Sequence, residues 1–260
     1  MILIGERINA GFKDIKEAIE NKNADVIKEW ATKQANAKAN YIDVNMGTVS
    51  KDPATLIWMI EQVQSVCDLP ISIDNNKPEI LKEVIPVCKK SPIVNSSTAE
   101  AAKLDKLLPI VAEYNASIIG LSMDESGSPP NAEKRLENAG KIFEKIMEYD
   151  IPPENLFLDP IVMPLKYKQD QATAILEATS QFRFFSDPPC HIVCGLSNIS
   201  IGAKHKKLLN RIFCTMLIAN GLDAVILDVM DTELVDSILT AELVMNKQIY
   251  ADSYIEAFRS

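Results

Sequence analysis

The chain has 260 residues, is 47% hydrophobic and 24% charged, and carries a net charge of −9. That balance supports a soluble globular core and argues against nucleic acid or an anionic membrane as the main partner. No signal peptide is expected, since Glu6 and Arg7 cut short the opening apolar run, and no stretch is long and apolar enough to span a bilayer. A cytoplasmic protein follows, and the five cysteines, odd in number and without scaffold spacing, are expected as reduced thiols.

Strand-like and helix-like segments alternate along the chain. Short apolar runs predict strands at Ile2–Ile8, Tyr41–Val44, Ile71–Ile73, Pro92–Val94, Ser117–Leu121, Leu156–Leu158, His191–Cys194 and Ala224–Leu227. Apolar spacings of three and four predict helices over Ala24–Ala39, Pro53–Cys67, Pro78–Cys88, Ala99–Tyr114, Asn131–Tyr149, Gln171–Phe184, Leu208–Asn220 and Thr232–Met245. Asp52 is the expected N-cap of the Pro53 helix, and Asn76 or Lys77 precedes the Pro78 helix in the same way. Eight such units predict a single-domain (β/α)8 TIM barrel over residues 1–260, with an open doubly wound sheet as the alternative. In the tail, Ile249–Ser260, the spacing of Tyr250, Tyr254 and Phe258 predicts a short helix packed on the barrel or on a partner subunit.

A parallel barrel presents its site where the strands end. The candidates there are Glu6, Asp43 and Asn45, Asp74 to Asn76, Asn95 to Ser97, Met123 and Asp124, Asp159, then Gly195, Ser197 and Asn198, and Asp228 and Asp231. This rim is rich in Asp and Asn and poor in His, Cys and Lys. Two histidines in the whole chain make a binuclear His/Asp metal site improbable, and no cysteine spacing predicts zinc. Phosphate-loop, dinucleotide and serine-elbow motifs are absent. His191 reads as a barrel residue, His205 as an exposed loop residue, and Glu6 with Arg7 as a structural pair at the barrel mouth.

Carboxylates and amides suit a neutral heterocycle that carries both N–H donors and ring acceptors. A carboxylate accepts from an amino group and an adjacent ring N–H, while an amide donates to one ring nitrogen and accepts from the next. Asp74, Asn95 and Asp159 therefore fit the 2-amino-4-oxo edge of a pterin. Asp43 and Asn45 read as support or direct contact, Gly195 and Ser197 as shaping their loop, and Met123 and Ile199 as apolar walls.

Six motifs in order at the strand ends carry a resemblance: Gly5-Glu-Arg-Ile-Asn9, Asp43-Val-Asn-Met-Gly47, Ile73-Asp74, Asn95-Ser96, Asp159-Pro160 and Gly195-Leu-Ser-Asn-Ile-Ser200. Over essentially its whole length the chain resembles the pterin-binding methyltransferases. Most similar are the methyltetrahydrofolate:corrinoid/iron–sulfur protein methyltransferases and the methyltransferase components of corrinoid-dependent demethylase systems. The resemblance implies a homodimeric barrel that holds the pterin with Asp74, Asn95 and Asp159 and sets Asn198 beside N5 of tetrahydrofolate. It implies methyl transfer between tetrahydrofolate or 5-methyltetrahydrofolate and the cobalt of a transiently docked corrinoid protein, with the cobalamin carried by that partner. A methyl on a neutral amine is a poor electrophile, so a hydrogen bond to N5 from an amide helps the amine leave, and the same contact serves the reverse reaction. The direction stays open between supply from methyltetrahydrofolate and delivery to tetrahydrofolate, as in O-demethylation.

Two positions depart from the family pattern. The loop after Asn198 has Lys204, Lys206 and Lys207 where an arginine is usual, and position 75 is Asn where a small hydroxyl residue is usual. Lys206 is the candidate contact for the folate tail or the corrinoid partner. A dihydropteroate synthase-like enzyme and a non-catalytic folate-binding protein are the alternatives, the former weakened by the lack of basic strand ends for a pyrophosphate.

Overall fold

The computed structural model describes residues 1–259. Eight parallel strands run β1 (Ile2–Asn9), β2 (Tyr41–Asn45), β3 (Ile71–Asp74), β4 (Ile93–Thr98), β5 (Ser117–Leu121), β6 (Leu156–Asp159), β7 (His191–Ile192) and β8 (Ala224–Leu227). Each pairs in parallel with its neighbour in sequence, and β8 pairs with β1. The last seam, between β7 and β8, closes through Asp223 N–H to Ile192 O (3.2 Å) and Ile226 N–H to Cys194 O (2.9 Å). At its lower end the Asp223 carboxylate accepts from Ile192 N–H (2.7 Å) and meets His191 Nδ1 (2.7 Å). His191 also stacks on Phe157, so it is a barrel residue as the sequence predicts.

The helices form the outer ring: α1 (Lys13–Glu20), α2 (Ala24–Asn36), α3 (Pro53–Gln64), α4 (Pro78–Val84), α5 (Ala101–Glu113), α6 (Ala132–Glu148), α7 (Gln171–Phe182), α8 (Lys206–Ala219), α9 (Thr232–Val244) and α10 (Tyr254–Arg259). Asp52 caps α3 by accepting from Ala54 N–H (2.9 Å), with Pro53 in the first turn. At α4 the cap position falls to Lys77, whose N–H is taken by Asn75 Oδ1 (3.0 Å); Asn76 does not serve. The α5 helix starts two residues later than its apolar pattern predicts, because Ala99 N–H is drawn to Met123 O (2.8 Å) at the end of β5.

Two elements differ from the sequence expectation. The α1 helix is extra; its eight residues lie between a Gly-Phe turn and Asn21, too few for a periodic signal to stand out. The tail helix begins only at Tyr254, so Tyr250 lies outside it and is exposed. Tyr254 Oη reaches Thr240 Oγ1 of α9 (3.0 Å), which docks the helix on the barrel; residue 260 of the predicted tail lies outside the described residues.

Two apolar clusters sit on opposite faces of the sheet. The larger fills the space between strands and helices. The smaller fills the barrel axis with Ile4, Ile93, Ile119, Phe157, Val193 and Ala224, flanked by Ile2, Tyr41, Leu121 and Ile226. Burying each such side chain stabilises the fold by about 1.5–3 kcal/mol. Side chains alternate between faces along a strand, so the residues two places beyond this plug also point to the axis. They are Glu6, Asp43, Asn95, Met123, Asp159, Gly195 and Asp228, with Asp74 following Ser72 on β3. The period of the strand thus places a polar layer directly on a dry one.

Candidate active site

The β2–β4 side of this layer is tightly cross-bonded. Asp43 is buried, and its Oδ1 accepts from Ser72 Oγ (2.6 Å) and from Asn95 Nδ2 (3.1 Å). Asn45 donates from Nδ2 to Asp74 Oδ2 (2.5 Å) and accepts at Oδ1 from Gly47 N–H (2.6 Å). Asp43 and Asn45 therefore orient Asn95 and Asp74. Above them opens a cleft of about 350 Å³ lined by Asn45, Lys51, Asp74, Asn75, Asn95 and Ser96, among others.

Asp159 completes this side from β6. It is buried, with Oδ1 accepting from Ile161 N–H (2.7 Å) and a further bond from Gly195 N–H. Below it lies Arg135 of α6, fully buried at 0% exposure. Its Nε donates to Pro160 O (2.7 Å), and its Nη1 to Pro129 O (3.2 Å), Asn131 O (3.0 Å) and Gln171 Oε1 (3.1 Å). These bonds clamp the loop in which Ile161 takes a left-handed φ of 62°, an unfavourable backbone for a β-branched residue.

Burial pushes the Asp159 carboxyl up to about 6, against the opposing pull of its two N–H donors and the Arg135 charge. Asp43 and Asp74 are raised for the same leading reason, burial, and Asp43 further by the charge of Asp74. Three carboxyls held above their ordinary range, with no lysine or arginine among the described residues hydrogen-bonded to any of them, form a site that gains from a ligand rich in N–H donors.

The β7 side is different. After Cys194 the chain makes one tight helical turn, Leu196–Ser200. Asn198 is exposed on it, and its side-chain amide makes no hydrogen bond to any described residue. A Cβ on Gly195 would come within 3.1 Å of Asn198 Nδ2, so the glycine is what admits the amide there. Ser197 donates from Oγ to Glu6 Oε1 (2.7 Å) across the barrel seam. Ile199 is fully enclosed in the outer core and anchors Leu165 N–H through its carbonyl (3.0 Å), so it supports the turn from behind. Met123 is half-buried at the end of β5.

Glu6 and Arg7 are not a pair. Successive residues of a strand face opposite ways: Glu6 turns inward to Ser197, while Arg7 donates to both Asp14 oxygens (2.8 and 2.7 Å) between the rings of Phe12 and Trp30. The latter cluster fixes α1 at the barrel mouth. Gly5, just before, faces Gln34 of α2 so closely that a Cβ would stand 2.4 Å from Oε1, the atom that accepts Arg7 N–H (3.0 Å).

Lys206 and Lys207 are exposed at the start of α8 and border a second cavity of about 320 Å³ between β1, the Asn198 turn and β8. Arg211 pairs with Asp231, the N-cap of α9, and with Glu233. A third hollow, about 470 Å³, lies on the outer surface between α8 and α9, away from the polar layer. The five cysteines are free, and burial raises the Cys194 and Cys214 thiols, which makes them inert. Sequence reasoning missed Arg135, Ser72 and the Ser197–Glu6 tie; an arginine at a predicted core-facing helix position was the available sign of the first.

Comparison with known proteins bears on this geometry. A profile described as pterin binding enzyme matches residues 5–228. The methylcorrinoid:tetrahydrofolate methyltransferase of Eubacterium limosum is 34% identical over 262 aligned positions, covering 100% of this chain and 96% of that protein. The methionine synthase of Mycobacterium tuberculosis is 24% identical over 87% of this chain, which spans 20% of that longer protein. Among solved structures, dihydropteroate synthase of Yersinia pestis superposes with a TM-score of 0.67 at 14% identity, covering 95% of this chain and 94% of that one. The Xanthomonas albilineans dihydropteroate synthase gives 0.65 at 13%, covering 95% and 92%. At those identities the likeness is one of fold.

Proposed function

The chain belongs to the pterin-binding enzyme family, and we propose that it transfers a methyl group between N5 of tetrahydrofolate and the cobalt of a corrinoid held by a separate protein. The observation that carries this reading is the polar layer at the strand ends: Asp74 and Asn95 line one cleft, Asp159 lies buried at the end of β6, and the exposed Asn198 amide stands uncommitted on the turn after β7. The raised carboxyls match the donor-rich edge of a pterin. Ionised in the complex, they accept from the 2-amino group and ring N–H, and the ligand relieves the cost of holding them together. Asn95, steadied by Asp43, offers an amide to the remaining ring positions.

Asn198 is the group for N5. An amide free of protein partners can donate to a nitrogen lone pair without paying for a broken bond, and it strengthens the contact as charge develops. The name of the Eubacterium limosum relative favours a methyl-corrinoid donor and tetrahydrofolate as acceptor. Cobalamin then enters as the partner's cargo, over an open rim that admits a docked protein, and Lys206 is the residue that meets the partner or the folate tail. The protein acts in the cytoplasm; among the described residues no helix is long and apolar enough to cross a membrane. It acts as a homodimer, a reading supported by the exposed Leu208, Ile212 and Met216 stripe on α8; a single-chain mass in sedimentation would remove it.

The test is calorimetric titration with tetrahydrofolate and 5-methyltetrahydrofolate. Wild type binds, and Asp74→Ala lowers the affinity by about tenfold to a hundredfold, the loss of hydrogen bonds to a charged group. No binding of either folate removes the reading.

A further inference from the structure

Methylating N5 releases a proton, and nothing assigned so far can take it. The N5 lone pair attacks the methyl carbon, and the carbon–cobalt pair stays with the corrinoid, which leaves as Co(I). N5 then holds both methyl and hydrogen and is cationic until it loses H⁺. Asn198 can hydrogen-bond to this nitrogen but cannot ionise. We propose that Glu6 accepts that proton through the Ser197–Asn198 turn and passes it to solvent in the cavity beside β1, and supplies it when the reaction runs backward. The inference rests on the methyl-transfer reading.

Four observations favour Glu6 over the other acids. It receives Ser197 Oγ (2.7 Å), the side chain next to Asn198, though the two residues are 191 apart in sequence. It lines the cavity of about 320 Å³, so it stands between the turn and water. Among the described residues its one side-chain hydrogen bond uses Oε1, which leaves Oε2 uncommitted. Asp159, by contrast, is fastened by two backbone N–H groups and Asp43 by Ser72 and Asn95, while Asp74, single-bonded to Asn45, lines the other cleft and not the cavity beside the Ser197 turn.

Among the described residues no cation is paired with Glu6. Arg7, on the same strand, is taken by Asp14. Lys207 of α8 lies 4.0 Å from Asp231 of α9, and Lys206 is exposed. Asp228, just after β8, and Asp43 of β2 are the acids that bear on it. Burial foremost lifts the Glu6 carboxyl above its ordinary value, against the Ser197 hydrogen bond and with the Asp228 charge.

The experiment measures methyl transfer from methylcobalamin to tetrahydrofolate against pH, with folate affinity measured separately, for wild type, Glu6→Gln and Glu6→Ala. Gln keeps an oxygen for Ser197 but cannot carry the proton. The relay requires Glu6→Gln to fold, to bind tetrahydrofolate within roughly threefold of wild type, and to lose about 10²-fold in rate. It also requires loss of the wild-type limb in which rate rises as Glu6 ionises, and Glu6→Ala no faster than Gln. A Gln variant with wild-type rate and pH profile, rescuing a slow Ala variant, makes Glu6 a mere tether and overturns the proposal. Normal folate binding without methyl transfer by wild type removes the reaction and the relay together, whereas absent folate binding removes the pterin site itself.

Discussion

The two sides of the rim are built on opposite principles. From β2 to β6 each recognition side chain is held by a neighbour: Ser72 and Asn95 hold Asp43, Asn45 holds Asp74, and backbone N–H groups with Arg135 beneath hold Asp159. From β7 round to β1 the groups are left with capacity to spare, in the bare Asn198 amide and the single-bonded Glu6. Recognition of a rigid planar ring benefits from acceptors that do not move, since their ordering is completed during folding. A group that must strengthen its contact as charge appears benefits from having no prior partner. On the proposed reading, the difference puts binding on one side and chemistry on the other.

The largest expected effect breaks the rigid side. Arg135→Met removes a guanidinium that donates to four backbone carbonyls and Gln171, and takes that donor from buried acceptors such as Pro160 O and Pro129 O. A stability loss of about 3–5 kcal/mol is expected in denaturant unfolding, and weaker tetrahydrofolate binding should accompany it as the Ile161 loop relaxes. Unchanged stability would mean that the clamp is not what holds Asp159.

Next in size, Asn198→Ala should slow methyl transfer by about 10²- to 10³-fold while changing tetrahydrofolate affinity by less than roughly tenfold. An affinity collapse with an intact rate in the bound state would move Asn198 to the recognition side and erase the contrast.

The smallest effect is in pH, and its two signs are opposite. The Asp159 carboxyl sits at about 6 in the fold against an ordinary 3.8, so the folded apo protein holds a proton that the unfolded chain has lost. Its contribution to stability is present in full below the ordinary value and vanishes as pH rises through about 6. Folate binding runs the other way, because ring N–H donors select ionised acceptors. Between about pH 5 and about pH 8, tetrahydrofolate affinity should rise on the order of tenfold while the apo melting temperature falls. Asp159→Asn should flatten both slopes; an affinity that rises on acidification would show the acids binding in protonated form.

Much of this was legible before any coordinates. Short apolar runs marked all eight strands, six of them followed at once by Asp or Asn, and their ends collected the candidate recognition residues in order. What stayed hidden were relations between distant residues. The cap stood open between Asn76 and Lys77 until the turn geometry chose Lys77, and Glu6 looked paired with Arg7 because adjacency in sequence says nothing about which face of a strand each will occupy once a neighbour is fixed.

The sequence by itself determined the alternation of strands and helices, the dry plug and the polar layer above it, because a period of two and a period of 3.6 are local properties of the backbone. Only the closed barrel decided that Ser197 meets Glu6, that Arg135 lies fully buried under Asp159, and that Asn198 keeps its amide free. Those contacts join segments far apart in the chain, and the carboxyl shifts that follow arise from burial, which exists only when all eight strands have met.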